Sequence, residues 1–260
     1  ISGVATSIAV GGPGSIFWMW VWAFFGMMIK TAETSLGLYY RRKEPDGKYS
    51  GGAMHYMERG IKGEMGWKFG RPLAILFAVS LFMMVLQGSG AYTVGETLSA
   101  SFGLNLMAVV IVYVLFVIYL LIRGENAIGR VAEKLVPIMA LFYIIGCVII
   151  LVMNASAIPN AFVQIFTLAF QPQAIAGGVA GVTVQQAMRY GVARGLFSNE
   201  AGLGSTPHAH ALAKVKQPQD QGALAIIGVF VDTFVILTLT ALVLITSGLI
   251  PEGMTRPHSA

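Results

Sequence analysis

An all-α membrane protein, built as a bundle of spanning helices, is the fold class the sequence predicts, and three observations predict it. Of 260 residues, 56% are hydrophobic and 11% charged, with a mean hydropathy of +0.72; a soluble domain carries about a quarter of its residues charged. Between Leu135 and Arg189 there is no Lys, Arg, Asp or Glu. Lipid explains that gap and a water-facing surface does not. The third observation is that basic residues come and go from one connection to the next, as described below.

The elements follow from length, since a span needs about 20 mainly apolar residues. Residues 1–10 are apolar but too short to span, and Gly11-Gly12-Pro13-Gly14 ends them. They read as the second half of a helix whose first half precedes the chain, so the chain is expected to be a piece of a longer protein. Clean spans are expected at residues 16–39, 73–98, 106–122, 135–153 and 224–250. Residues 174–213 are too long and too interrupted for one plain helix.

The connections set the topology. Arg41, Arg42, Lys43, Lys48, Arg59, Lys62, Lys68 and Arg71 crowd the first loop; residues 99–105 hold no basic residue. Arg123, Arg130 and Lys134 mark the next connection, residues 154–173 hold none, and Lys214 and Lys216 mark the one after. This alternation is the positive-inside signature. It predicts a cell (inner) membrane protein with loops 41–71, 123–134 and 214–220 in the cytoplasm; Arg256 alone falls on the other side.

The half-helix, turn and span at residues 1–39 resemble the half-helix, turn and span that close the chain, with opposite orientation. Such a pair is the inverted-repeat pattern of many secondary transporters. The expected division is a first repeat at 1–153, an external connection at 154–173, and the start of a second repeat at 174–260. Together they form part of a five-plus-five bundle with discontinuous helices.

Composition also excludes functions. The net charge is +5, but the basic residues lie in connections rather than in a stripe with interleaved aromatics, which argues against nucleic acid. Cys147 is the single cysteine, so no intrachain disulfide or cysteine metal cluster can form. No cofactor is expected.

The run best suited to carry chemistry is residues 191–213. Gly195, Gly202, Gly204 and Pro207 cluster there with Ser198, Asn199 and Ser205. Backbone leaves the helix at membrane depth only where protein or a wet cavity satisfies its polar groups. A break near residues 197–204 would offer amide donors and carbonyl acceptors, as a zwitterionic amino acid requires. The alternative is an interfacial loop between two short helices, against which the half-span length of the flanking stretches weighs. Gly202-Leu203-Gly204 lacks the Lys-Ser/Thr of a phosphate loop.

Gly11-Gly12-Pro13-Gly14-Ser15-Ile16-Phe17-Trp18-Met19-Trp20-Val21-Trp22-Ala23-Phe24-Phe25-Gly26 resembles the signature block of the sodium:alanine symporter family. Gly195-Leu196-Phe197-Ser198-Asn199-Glu200-Ala201-Gly202-Leu203-Gly204-Ser205 is similar to that family's most recognisable internal block, and Lys30-Thr31-Ala32-Glu33 and Gly51-Gly52-Ala53-Met54 fit it too. The resemblance implies a leucine-transporter-like fold that carries alanine or glycine inward with sodium, occasionally with protons. It implies a substrate held between two unwound helices, with Phe197, Ser198 and Asn199 on the second and Gly202 within its break. The first break would lie upstream of Ile1.

One departure from the family stands out. A glutamine is expected in the middle of the third helix, where the alignment places Gly90, with Gln87 one turn earlier. Positions three apart share a helix face, so Gln87 either takes over the contact or packs helices together.

Ionisable residues inside spans are functional candidates by default. Lys30 and Glu33 read as a structural pair near the cytoplasmic end of their span. Arg194 and Glu200 are expected to pair and tie the unwound segment, ahead of a role for Glu200 in proton coupling. Asp232 and Thr233 offer hard oxygen ligands for sodium, or else a helix–helix hydrogen bond. Glu96 is expected to be solvated. His208 and His210, two apart, do not share a helical face. Trp18, Trp20 and Trp22 are read as interfacial anchors, and Gly177 and Gly181 as packing positions.

The sequence reading is therefore a sodium-coupled symporter of small neutral amino acids in a lipid bilayer, not an enzyme. A proton-coupled carrier of the same fold is the alternative. A channel lacks a polar lining in residues 106–122 and 135–153. An intramembrane hydrolase would need Ser205 and His208 joined by an orienting acid.

Overall fold

A computed structural model describes residues 2–45, 47–86, 89–170 and 184–248. Its elements are α1 (Ser2–Gly11), α2 (Ser15–Tyr39), a ribbon of β1 (Arg42–Lys43) and β2 (Tyr49–Ser50), α3 (Ala53–Tyr56) continuing as a π-helical turn (Met57–Glu64), α4 (Gly70–Leu86), α5 (Ser89–Phe102), α6 (Leu106–Ile122) and α7 (Glu125–Met153). There follow a 3₁₀ turn (Ala155–Ala157), α8 (Ile158–Leu168), α9 (Val184–Asn199), α10 (Thr206–His210), α11 (Pro218–Phe230), a π-helical segment (Val231–Leu237) and α12 (Thr238–Thr246). Three continuous helical stretches, Ser15–Tyr39, Ala127–Met153 and Pro218–Thr246, are long and apolar enough to cross a membrane. The protein is an all-α membrane protein apart from the two-residue strands, which follow from the Glu44–Lys48 turn that closes the ribbon.

Differences from the sequence reading have physical causes. The span expected at 135–153 begins ten residues earlier, at Glu125, because Arg130, Glu133 and Lys134 extend the helix with their side chains exposed. The span expected at 224–250 is helical from Pro218, started by a capping box in which Gln217 and Asp220 satisfy each other's backbone amides. Gly177, Gly181 and Arg256 lie outside the described residues.

Two units divide the chain: residues 1–77 with 144–260, and residues 78–143. In the first, α2 is the central helix. Val4 and Ile8 of α1, Ile16 and Met19 of α2, Leu151 of α7, Ala161 and Ile165 of α8, and Leu237, Ala241 and Leu242 form its apolar core. Helices α9 and α11 approach α2 closely. A Cβ added at Gly191 would strike the Ser15 carbonyl, and one at Gly222 the Ser35 hydroxyl. Small residues permit this kind of packing between membrane helices. In the second unit, α5 and α6 pack side by side, with Asn105 Oδ1 capping α6 by accepting from the Met107 and Ala108 amides. A groove of about 500 Å³, lined by Val94, Leu98, Val109, Tyr113 and Phe116, runs along this pair.

Trp18, Trp20 and Trp22 pack against other helices. Successive residues on a helix lie about 100° apart, so a helix packed on several sides turns each of the three indoles inward. Trp18 Nε1 donates to the Ala169 carbonyl at 3.1 Å, Trp20 Nε1 to Thr238 Oγ1 at 2.9 Å, and Trp22 Nε1 is buried. Phe17, Trp18, Phe166 and Phe170 join α2 to α8 edge to face.

Candidate functional site: an interrupted helix held by a buried ion pair

Helix α9 ends at Asn199, and helix resumes only at Thr206. Between them, Glu200 (φ 51°), Gly202 (φ 89°) and Gly204 (φ 71°) take left-handed backbone. Glycine adopts that region freely, but for Glu200 it is costly, and such residues persist only where their surroundings hold them. Pro207 in the first turn of α10 has no amide to leave unpaired. The chain therefore breaks where its glycines and proline predict, two residues later than Phe197.

Two neighbouring helices grip this break. From α2, Lys30 Nζ donates to the Asn199 carbonyl at 2.9 Å and to the Thr206 hydroxyl. One turn on, Glu33 Oε2 accepts the backbone amides of Gly202 at 3.1 Å and Gly204 at 3.3 Å. The two charges lie 3.7 Å apart, each 6% exposed. The cation meets the carbonyl end of α9, the anion meets free amides, and each partially neutralises the other.

The π-helical segment that continues α11 presents Asp232 and Thr233. Ser198 Oγ donates to Asp232 Oδ2 at 2.6 Å, and Thr233 Oγ1 donates to Asn199 Oδ1 at 2.7 Å. Thr233 is fully buried and Asn199 is 6% exposed. Thr238 links this layer back to α2: its hydroxyl donates to the Thr233 carbonyl at 3.2 Å and accepts from Trp20. Single π-helical turns inside α-helices recur at functional sites.

These contacts locate each residue singled out in the sequence. Ser198, Asn199, Asp232 and Thr233 come together in two adjacent hydrogen-bonded pairs. Phe197 precedes them and is 62% exposed. The Gly202 amide is taken by Glu33. Gln87 lies outside the described residues, and Gly90 falls in the first turn of α5. Glu96 is exposed on α5.

The expected Arg194–Glu200 pair is not what ties the break. Glu200 Oε2 accepts from Ser205 Oγ at 2.9 Å and Thr206 Oγ1 at 3.0 Å. Arg194, within α9, faces α1, its Cδ about one contact distance from a Cβ placed on Gly3. Lys30 does the tying instead. The signal in the sequence was two opposite charges three apart in an apolar span, read there as a self-contained pair.

His208 and His210 diverge. His208 stacks on Phe77 with its Nδ1 donating to the Ser205 carbonyl at 3.1 Å, while His210 meets Gln221 Nε2 at 2.7 Å. Ser205 Oγ points to Glu200 rather than to His208, so no nucleophile–base pair forms there. Among the described residues no group of three metal-ligating side chains occurs. Arg41, just past α2, donates to the Ala211 and Ala213 carbonyls at 3.1 and 2.7 Å while its guanidinium covers the Tyr49 ring.

The sequence is also similar to known proteins. A model of the sodium:alanine symporter family matches residues 1–259. The sodium/alanine symporter AgcS of Methanococcus maripaludis is 40% identical over 252 residues, 96% of this chain and 54% of that protein. The amino-acid carrier protein AlsT of Bacillus subtilis is 35% identical over 255 residues (97% and 52%), and the probable sodium/glutamine symporter GlnT of the same organism 35% over 247 residues (95% and 50%). The chain spans about half the length of the curated relatives it matches.

Proposed function

The chain belongs to the sodium:alanine symporter family, a family of transporters and not of enzymes, and from that premise we propose that it forms part of a secondary transporter. The protein carries alanine, glycine or a similar small neutral amino acid across the inner membrane with sodium, by alternating access. The bundle is the first repeat and the start of the second in a five-plus-five inverted-repeat, leucine-transporter-like fold. Loops 41–71, 123–134 and 214–220 face the cytoplasm.

The observation that carries this reading is the break between α9 and α10, with Ser198 and Asn199 on its edge hydrogen-bonded to Asp232 and Thr233. Phe197 bounds the substrate's side chain, and Ser198 and Asn199 supply polar contacts. Gly202 shapes the break through the hydrogen bond that its backbone amide donates to Glu33. Asp232 and Thr233 contribute hard oxygen atoms toward sodium. The names of AgcS and AlsT support amino acids as cargo, and that of GlnT marks a larger side chain as a second possibility within the family.

Asn199→Ala tests the assignment in the full-length protein. Loss of alanine uptake with normal membrane insertion is the expected result; uptake at the unmodified rate would refute it. The rival, a proton-coupled carrier, is separated by running the same uptake with a proton gradient and no sodium.

A further inference from the structure

We propose that Lys30 and Glu33 form a latch that sets the shape of the interrupted helix, with the order of the two charges dictated by the peptide groups they hold. The inference deepens the reading of the break as a transport site but is tested separately from it. Each end of the break carries groups that a continuous helix would have paired internally. The Asn199 carbonyl at the end of α9 receives Lys30, and the Gly202 and Gly204 amides converge on one oxygen of Glu33. Lys30 also reaches the Thr206 hydroxyl, the first residue of α10. One turn of α2 therefore clamps both sides of the break at once.

Two consequences follow from the geometry. The dipoles on this face of the break are occupied by the protein's own charges, so a substrate's carboxylate and ammonium are directed to the other face, where Ser198 and Phe197 lie. And α10 is tied to α2 by these bonds and by the contact of Gly37 with Pro207, where an added Cβ would come within 2.7 Å. Moving α10 away from α2 breaks the latch. Lys30 and Glu33 are thus positioning residues, separate from those proposed to touch the substrate.

The charge order distinguishes a latch from simple mutual neutralisation. In the reversed pair, Lys30→Glu with Glu33→Lys, the two charges still attract, but an anion faces the Asn199 carbonyl and a cation faces the glycine amides. The experiment is hydrogen exchange of the full-length protein in lipid nanodiscs, read on the peptide spanning residues 200–206, for the unmodified protein, Glu33→Gln and the reversed pair. Glu33→Gln keeps an oxygen acceptor and the side-chain shape, so it reads the charge alone. The expected result is exchange at least tenfold faster at 200–206 in both variants, most in the reversed pair, with exchange in α8 unchanged. Unchanged exchange at 200–206, or protection restored in the reversed pair, overturns the latch; acceleration spread equally over α8 overturns it as well, by showing a general packing role. Alanine uptake by the same variants reconstituted in proteoliposomes reports on the transport reading independently, because the exchange result needs no substrate.

Discussion

The hydroxyl of Thr233 donates a 2.7 Å hydrogen bond to the side-chain carbonyl of Asn199, inside the bundle at the point where α9 stops. Both residues are almost without solvent contact, so neither has water to fall back on. That bond joins the last residue of one interrupted helix to a π-helical turn of another. Removing one partner strands the other, and an unsatisfied buried acceptor costs about 1–3 kcal/mol. Thr233→Val, which keeps the side-chain shape, is expected to lower thermal stability in detergent by that order, while Thr233→Ser retains most of it. Differential scanning fluorimetry of the full-length variants reads the difference.

The close approach of α9 to α2 gives a second expectation. A side chain at Gly191 meets the Ser15 backbone carbonyl and Trp18 Cβ, atoms that cannot rotate away. Overpacking of this kind costs about 1–3 kcal/mol. Gly191→Ala should therefore lower the melting temperature and the yield of monodisperse protein. Gly146 in α7 is the control: among the described residues nothing lies within 4 Å of an added Cβ, and Gly146→Ala should be neutral or gain up to about 1 kcal/mol.

Trp20 ties α2 to the start of α12 through the 2.9 Å bond to Thr238. Trp20→Phe keeps most of the ring stacking on Phe162 and Phe166 and loses the donor, a net change of about 0.5–1.5 kcal/mol. Thr238→Val strands the indole N–H and should cost at least as much. A double variant less than additive identifies the bond as the shared cause.

The loop between α2 and α4 carries a pH response. Burial, and then the positive charge of Arg59, holds the His55 imidazole below its ordinary titration range. Its Nε2 bonds Ser50 Oγ at 3.1 Å, fastening α3 to the ribbon. The folded form binds the proton less readily than the unfolded one, so this stability is complete above the unfolded-state pKa. It is lost as pH falls from there through the folded-state value. Limited proteolysis of the 41–71 segment should accelerate on acidification below the ordinary histidine range, and His55→Gln should flatten that dependence.

How much of this was legible in the sequence depends on the element. The apolar lengths placed α2, α6 and the cores of α7 and α11–α12, because lipid demands a minimum run. Gly202, Gly204 and Pro207 placed the break, because their backbone preferences are local. Partnerships across the fold were less legible. Arg194 and Glu200 are near in sequence but turned to different sides, and Lys30 and Glu33 looked complete as a pair until the third dimension brought residues 199–206 against them. Trp18 and Trp20 fit a membrane interface by composition, yet they pack on α8 and α12, which lie 140 or more residues away in the chain. The π-helical register that turns Asp232 and Thr233 toward α9 has no composition signal.

The most direct measurement of the central claim is uptake of labelled alanine by the full-length protein in proteoliposomes, with an inward sodium gradient and with that gradient collapsed. The account predicts saturable accumulation that requires the gradient and disappears in Asn199→Ala. Equal uptake with and without the sodium gradient, or full accumulation by Asn199→Ala, would contradict it.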